Sequence, residues 1–366
     1  MSDNSVLSGN IGEWSELYVF FKLLAEKKLY AANAELEKIE DTYYPVIKIL
    51  NKDPLGEYEY HTNSVIKIID SKGTLIDSIP IQKFKDNALI LLNKLKSKPA
   101  QASFKITALS SFLSKIKISK IKAKSSEKRD ITIVVHDMFT GINPKLGFSV
   151  KSQIGGDSTL FNASQQTNFV YEITCNKPLT ELEIDSINHI SSRGKIKDRI
   201  NSLFKHGCIL KFQKIDSSQL TNNLIIVDSA LPQMLSEMLI GYYSGKENSV
   251  VALTKILIKK NPLKFDLSTK QPFYEYKIKN LLTDIALGMT PKTPWNGIYD
   301  ANGGYIIVKE NGEVLCYHIY NRNEFQEYLF RNTKFETPSS GRNKFGEIYK
   351  KDNKLYIKLN LQIRFL

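Results

Sequence analysis

The chain has 366 residues, 42% of them hydrophobic and 24% charged, so it can bury a core in one large domain or two medium ones. No run of roughly 18 apolar residues is present, and the opening MSDNSVLSGNIGEW lacks a basic segment followed by an apolar one. A membrane span and a secretory signal are therefore excluded, and the protein is expected to stay in the cytoplasm. The net charge is +13 and the pI near 9.3, which favours a polyanionic partner.

Ile11 to Leu29 has the spacing of a helix, with Ile11, Trp14, Tyr18, Phe21 and Leu24 at three- and four-residue steps and Asn10 as its cap. Tyr43 to Leu50, Val65 to Asp70 and, past a turn at Gly73, Leu75 to Ile79 have the composition of strands. Asp86 to Lys96 and Ala108 to Ile121 are expected helices. Eleven basic residues fall between Lys94 and Arg129, with Glu127 the only acid, a surface suited to phosphates. Ile131 to Val135 and Leu146 to Ser152 should pair as an antiparallel hairpin around Gly141, Asn143 and Pro144. Further on, Phe169 to Thr174 and Leu224 to Val227 are expected strands. Leu179 to Lys205, broken near Gly194, and Ser229 to Tyr243 are expected helices. Beyond Asp266 the chain alternates and is rich in aromatics, with strands expected at Tyr305 to Lys309, Val314 to Tyr320 and Leu355 to Leu359. A soft boundary falls near Lys264. Cys175, Cys208 and Cys316 form no metal-like spacing with the histidines, and their odd count speaks for reduced, buried thiols.

The chemistry concentrates in the hairpin. Asp130 opens its first strand, and Gly147-Phe-Ser149-Val150-Lys151-Ser152-Gln153 closes its second. Alternation turns Ser149, Lys151 and Gln153 to one side and Val150 to the other. The return strand brings an acid, a hydroxyl and an ammonium together. Phosphodiester hydrolysis needs such groups: oxygen ligands for Mg²⁺ and a cation that orients water and offsets developing negative charge. Asp137, near the turn, competes with Asp130 for the ligand's place but suits a turn-capping acid better. His136 could serve as a base. No GxxxxGK[ST] loop or GxSxG elbow is present. Gly297-Ile-Tyr and Tyr305-Ile are too close together for a GIY-YIG nuclease.

The hairpin resembles the PD-(D/E)xK nuclease motif, with Ser149 where the middle acid is usual. Residues 9–335 resemble the HpaII family of type II restriction endonucleases. The resemblance is carried by Gly12-Glu-Trp-Ser-Glu16-Leu-Tyr, Asp130-Ile-Thr-Ile, Gly147 to Gly155, Thr159-Leu-Phe-Asn-Ala-Ser164, Thr167-Asn-Phe169 and Gly288-Met-Thr-Pro291. It implies an α/β fold with a central mixed sheet flanked by helices. Residues 1–265 would form the catalytic domain, and 266–366 a β-rich subdomain contributing to DNA recognition. It also implies Mg²⁺-dependent double-strand cutting within 5′-CCGG-3′, with a cognate methyltransferase protecting the host. The oligomeric state stays open. With Ser149 a poor metal ligand, a carboxylate from the first helix should complete the shell, Glu16 or else Glu13. Asn162, Ser164, Gln165, Gln166 and Asn168 come next after the hairpin, and the Asn and Gln side chains among them suit adenine edges. For a G·C-rich target Arg193, Lys195, Arg199, Arg322, Arg331 and Arg342 are better readers, with Lys122 and Lys124 on phosphate. A non-catalytic DNA-binding protein and a structure-specific repair nuclease are the rival readings.

Overall fold

The computed structural model describes residues 7–97, 103–121, 129–138, 140–156 and 158–366. They fall into two compact units. The first runs to Ser158 and adds Ala286–Gly288 and Tyr299–Tyr328; the second holds Thr159–Ile285, Met289–Ile298 and Leu329–Leu366.

The first unit begins with helix α1, Ile11–Glu26. Asn10 accepts from the Glu13 N–H, and the Glu13 carboxylate accepts from the Asn10 N–H, a reciprocal cap that satisfies two orphan donors. Trp14, Leu17, Tyr18, Phe21 and Leu24 are buried. The helix stops before the expected Leu29 because Lys27 takes a left-handed conformation at φ 58° and Leu29 belongs to a strand.

The strands of this unit are β1 (Lys28–Ala32), β2 (Lys38–Asp53), β3 (Gly56–Thr62), β4 (Val65–Asp70), β5 (Leu75–Pro80), β6 (Ile131–Val135), β7 (Lys145–Ser152), β8 (Gly304–Val308) and β9 (Val314–His318); helix α2, Ile81–Lys96, follows β5. Their order is β1-β9-β8-β7-β6-β2-β3-β4-β5, and β1 also pairs with β2. Six strands therefore close into a barrel, with β3, β4 and β5 continuing outward from β2. The β7–β8 and β9–β1 pairs are parallel; β6–β7 is the expected antiparallel hairpin. Phe148, Val150, Ile306 and Val308 join α1 in one buried core.

The second unit has a four-stranded antiparallel sheet, in the order Cys208–Ile215, Asn168–Cys175, Lys354–Asn360 and Ile348–Lys351. A three-stranded sheet adds Thr159–Phe161, Ile363–Phe365 and Thr333–Phe335.

The chain is thus mixed α/β, as expected. Several elements differ from expectation. Leu224–Val227 ends a helix, Ser218–Val227, capped by Ser217 and buried through Leu220 and Leu224 one turn apart. Ala108–Ile121 holds only a short helix, Ser110–Lys115, because Lys117 at φ 62° turns the chain away. Helices Val250–Lys260, Phe273–Leu287 and Arg322–Arg331 were not anticipated. Residues beyond 266 contribute strands to both units. The expected reduced Cys175 and Cys208 form a disulfide, because strand register sets them directly opposite, with Cα atoms 3.8 Å apart. Cys316 is free and buried. Among the described residues, no single helix is long and apolar enough to cross a membrane.

Candidate active site

Hairpin register builds the centre. Ile131 opposes Phe148, and the Asp130 N–H donates to the Phe148 carbonyl at 2.8 Å. The Asp130 side chain then reaches across to β7. Its Oδ2 accepts from the Ser149 hydroxyl at 3.0 Å and from the Val150 N–H at 2.7 Å. Lys151 Nζ donates to Ser149 Oγ at 3.1 Å. Ammonium, hydroxyl and carboxylate form one chain. Ser149 is buried, and Asp130 and Lys151 are half-buried. Among the described residues Asp130 Oδ1 has no hydrogen-bond or ionic partner.

Tyr305 of β8 stands opposite Ser149 in the parallel pairing, and its ring centroid lies 5.4 Å from Lys151 Nζ. Its phenol pKa is pushed well up by burial first and by the charge of Asp130 second. Glycine is required nearby. A side chain at Gly147 would meet Arg129 at 2.9 Å and the Asp300 carbonyl at 3.0 Å. The Gly147 N–H donates to Asn302 Oδ1, fastening the hairpin to the turn before β8.

A cleft of about 560 Å³ has Asp130 in its wall, with Lys52, Lys120, Arg129 and Lys145 and the acids Glu57 and Glu59. Lys52 pairs with Glu57 and Lys48 with Glu59. Lys120 and Lys145 are exposed.

The other expected residues are placed as follows. Gln153 is exposed just past β7, its N–H donating to the Val308 carbonyl. Glu16 is half-buried on α1, whose Ile11 packs on Gly155 beyond the Lys151 strand. The Glu13 carboxylate closes the helix cap. Asp137 lies at the far end of β6 from Asp130. It is buried, accepts from Tyr320 Oη at 2.8 Å, and its carbonyl accepts from Gly141 N–H across the turn. His136 contacts Asn143. No group of three or more His, Cys, Asp or Glu side chains among the described residues is arranged to hold a metal.

In the second unit Arg193, Arg331 and Arg342 are exposed, as is Arg322 in the first. Arg199 is not available to bases. It is buried, and its guanidinium donates to the carbonyls of Gly346, Asn188 and Ile190. Asn168 is likewise spent inside, between Asn360 and the Asn343 carbonyl. In the Gly288 to Pro291 segment, Asn223 binds the Thr290 carbonyl as well as the Thr293 carbonyl and Trp295 N–H, an internal brace. Lys122 and Lys124 lie outside the described residues. Tyr305, Lys52 and Lys145 escaped the sequence reading. Alternation around Tyr305 was visible, but its pairing with Ser149 depends on a contact between remote segments.

The family profile described as HpaII restriction endonuclease matches residues 10–365. The Type II restriction enzyme HpaII of Haemophilus parainfluenzae is 44% identical over 361 residues, spanning 98% of this chain and 99% of that protein. No solved structure matches the chain.

Proposed function

The chain belongs to the HpaII restriction endonuclease family and is a site-specific restriction endonuclease, and we propose that it cuts both strands of duplex DNA within 5′-CCGG-3′ through a Mg²⁺-dependent centre at Asp130 and Lys151. The observation that carries this reading is the hydrogen-bonded run from Lys151 through Ser149 to Asp130, whose Asp130 end lies in the wall of a cleft rich in cations.

A carboxylate oxygen with no other described partner, beside polar surface, fits a hard divalent cation whose shell is completed by water and substrate phosphate. Asp130 Oδ1 is that oxygen, with Glu16 the second carboxylate. When bound, Mg²⁺ supplies polarisation of the phosphate and a more acidic water. Asp130 Oδ2 is fixed by two donors, so the carboxylate cannot swing. Lys151 presents its remaining N–H bonds to the attacking water and to the oxygens that gain charge. Ser149 holds the ammonium in place and does not ligate. Gln153 orients water or phosphate at the strand's end. Lys120, Arg129 and Lys145 hold the flanking backbone as phosphate contacts, which position the duplex without reading it. Exposed Arg193, Arg322, Arg331 and Arg342 remain for guanine edges.

The finer architecture proposed is the restriction-endonuclease-like one. Its catalytic part is 1–265 with β8 and β9 completing the sheet, and the rest of 266–366 contributes to recognition. The enzyme would act in the cytoplasm beside a cognate methyltransferase.

Plasmid digestion tests the reading. Wild type with Mg²⁺ should give discrete fragments, and Asp130→Ala and Lys151→Ala should lose at least ~10²-fold in rate. Normal cutting by either variant removes the centre. Retained, salt-sensitive binding without cutting by wild type would favour a DNA-binding protein, and a smear of products a nuclease without site specificity.

A further inference from the structure

Asp53 ends β2 and is buried, and a buried carboxylate is costly unless donors surround it. Its two oxygens take three donors. Oδ1 accepts from the Leu55 N–H at 3.0 Å and from the Ser119 hydroxyl, and Oδ2 accepts from the Ser119 N–H at 2.7 Å. The first bond shapes the turn from β2 to β3, where Asp53 pairs with Gly56. The other two reach a segment 66 residues further along the chain. An amide could not replace the carboxylate. Ser119 presents donors to both oxygens, and an asparagine NH2 would set donor against donor at one of them.

The segment that carries Ser119 is anchored before it as well. Tyr60 Oη donates to the Ile116 carbonyl at 2.7 Å, and Ile116 and Ile118 are buried in the core, with Lys117 bending the chain between them at φ 62°. Lys120 follows Ser119 directly and is exposed, in the wall of the cleft that holds Asp130. Leu50, Lys52 and Glu57 of β2 and β3 form another part of that wall. Asp53 therefore joins two parts of the cleft: it stands next to Lys52 in the chain and grips the residue before Lys120. A lysine ammonium rides on a flexible four-carbon stem, so the fold controls where the stem starts. Holding residue 119 by both its main chain and its side chain sets that start and leaves the tip free to follow a phosphate.

We propose that Asp53 is a positioning residue for DNA, which clamps Ser119 so that Lys120 stands at the cleft as a phosphate contact. The inference rests on the cleft being the path of the duplex to Asp130. It gives an acid a part in holding a polyanion, the reverse of what its charge alone would do.

That reversal of sign supplies the test: binding of a duplex oligonucleotide containing CCGG, without Mg²⁺, over a series of salt concentrations. As a charge only, Asp53 repels phosphate, and Asp53→Asn would tighten binding. As a clamp, its loss should weaken binding. Lys120→Ala should lower the slope of log K against log salt by about 0.9, equivalent to roughly eightfold in affinity for each tenfold drop in salt. Asp53→Asn should approach the same slope and affinity, and Lys120→Ala added to Asp53→Asn should cost nothing further, because the lysine is already displaced. Affinities are expressed per folded protein. If Asp53→Asn does not fold, Ser119→Ala decides: it removes one bond of the clamp, leaves the acid in place, and should weaken binding roughly threefold. Binding that is tighter or unchanged in Asp53→Asn, or unchanged in Ser119→Ala where that variant decides, overturns the proposal, as does a full second loss in the double variant. If Lys120→Ala itself binds like wild type, the cleft is not the path of the duplex and the inference falls with that reading. If Lys120→Ala weakens binding and Asp53→Asn does not, Asp53 alone falls.

Discussion

At the scale of single residues, the cations of the cleft and those of the interior separate cleanly. Lys120 and Lys145 are exposed beside Asp130, whereas Arg199 is buried on three carbonyls. Each phosphate neutralised adds about 0.9 to the slope of log K against log salt. Lys120→Ala and Lys145→Ala should each lower the slope for duplex binding by about that amount, measured between low and moderate salt. Arg199→Ala should leave the slope unchanged and lower stability instead, because it strands three buried acceptors. An unchanged slope in both lysine variants would remove the cleft from the DNA path. That Asp130, Ser149 and Lys151 come together could be read from the sequence because strand alternation is local: two residues on one strand share a side, and a hairpin returns to its start. Arg199 and Arg193 could not be told apart, since nothing in a run of Lys and Arg says which side chain turns inward.

Among elements, β8 is the one on which the centre leans, and its first residue is the most constrained. Gly304 has φ +107°, and a Cβ there would stand 1.9 Å from the Tyr317 carbonyl on β9. That neighbour is backbone, so the strand pair must move. Gly304→Ala should cost more than about 2 kcal/mol in a urea titration and reduce cutting by moving the strand that pairs with Ser149 and Lys151. Stability within about 0.5 kcal/mol of wild type would show that β8 has room to shift. Strands were mostly legible: β4 and β6 fall where alternation and β-branched runs put them. Helices with scattered polar residues were not. Ile225 and Ile226 look like strand residues in a short window, yet they are exposed on a helix whose buried positions are Leu220 and Leu224.

Over the whole molecule, acid sensitivity follows from how the barrel treats His318 at the end of β9. The ring is 3% exposed, accepts from the Tyr320 N–H through Nδ1, and packs against Tyr44 and Tyr320. Burial lowers its pKa from 6.5 to about 4, with the Asp137 charge opposing. Above pH ~6.5 folded and unfolded states are both neutral there. As the pH falls from 6.5 toward 4, only the unfolded state takes the proton, so stability is lost in that window, by up to roughly 3 kcal/mol. Urea midpoints at about pH 7.5 and 5 should fall further for wild type than for His318→Gln; equal falls would contradict this. The sequence could announce an α/β chain, but not a barrel. Closure depends on β1 meeting both β2 and β9, and the second of these pairings joins opposite ends of the first unit.

The bond from Gly147 to Asn302 spans 155 residues. The ribosome must therefore make nearly all of the chain before β8 exists to stand behind Ser149. The hairpin alone is a local product of early synthesis; the backing for its lysine comes late. That order of assembly leaves the hairpin without the strand that pairs with it on its far side until synthesis is well advanced.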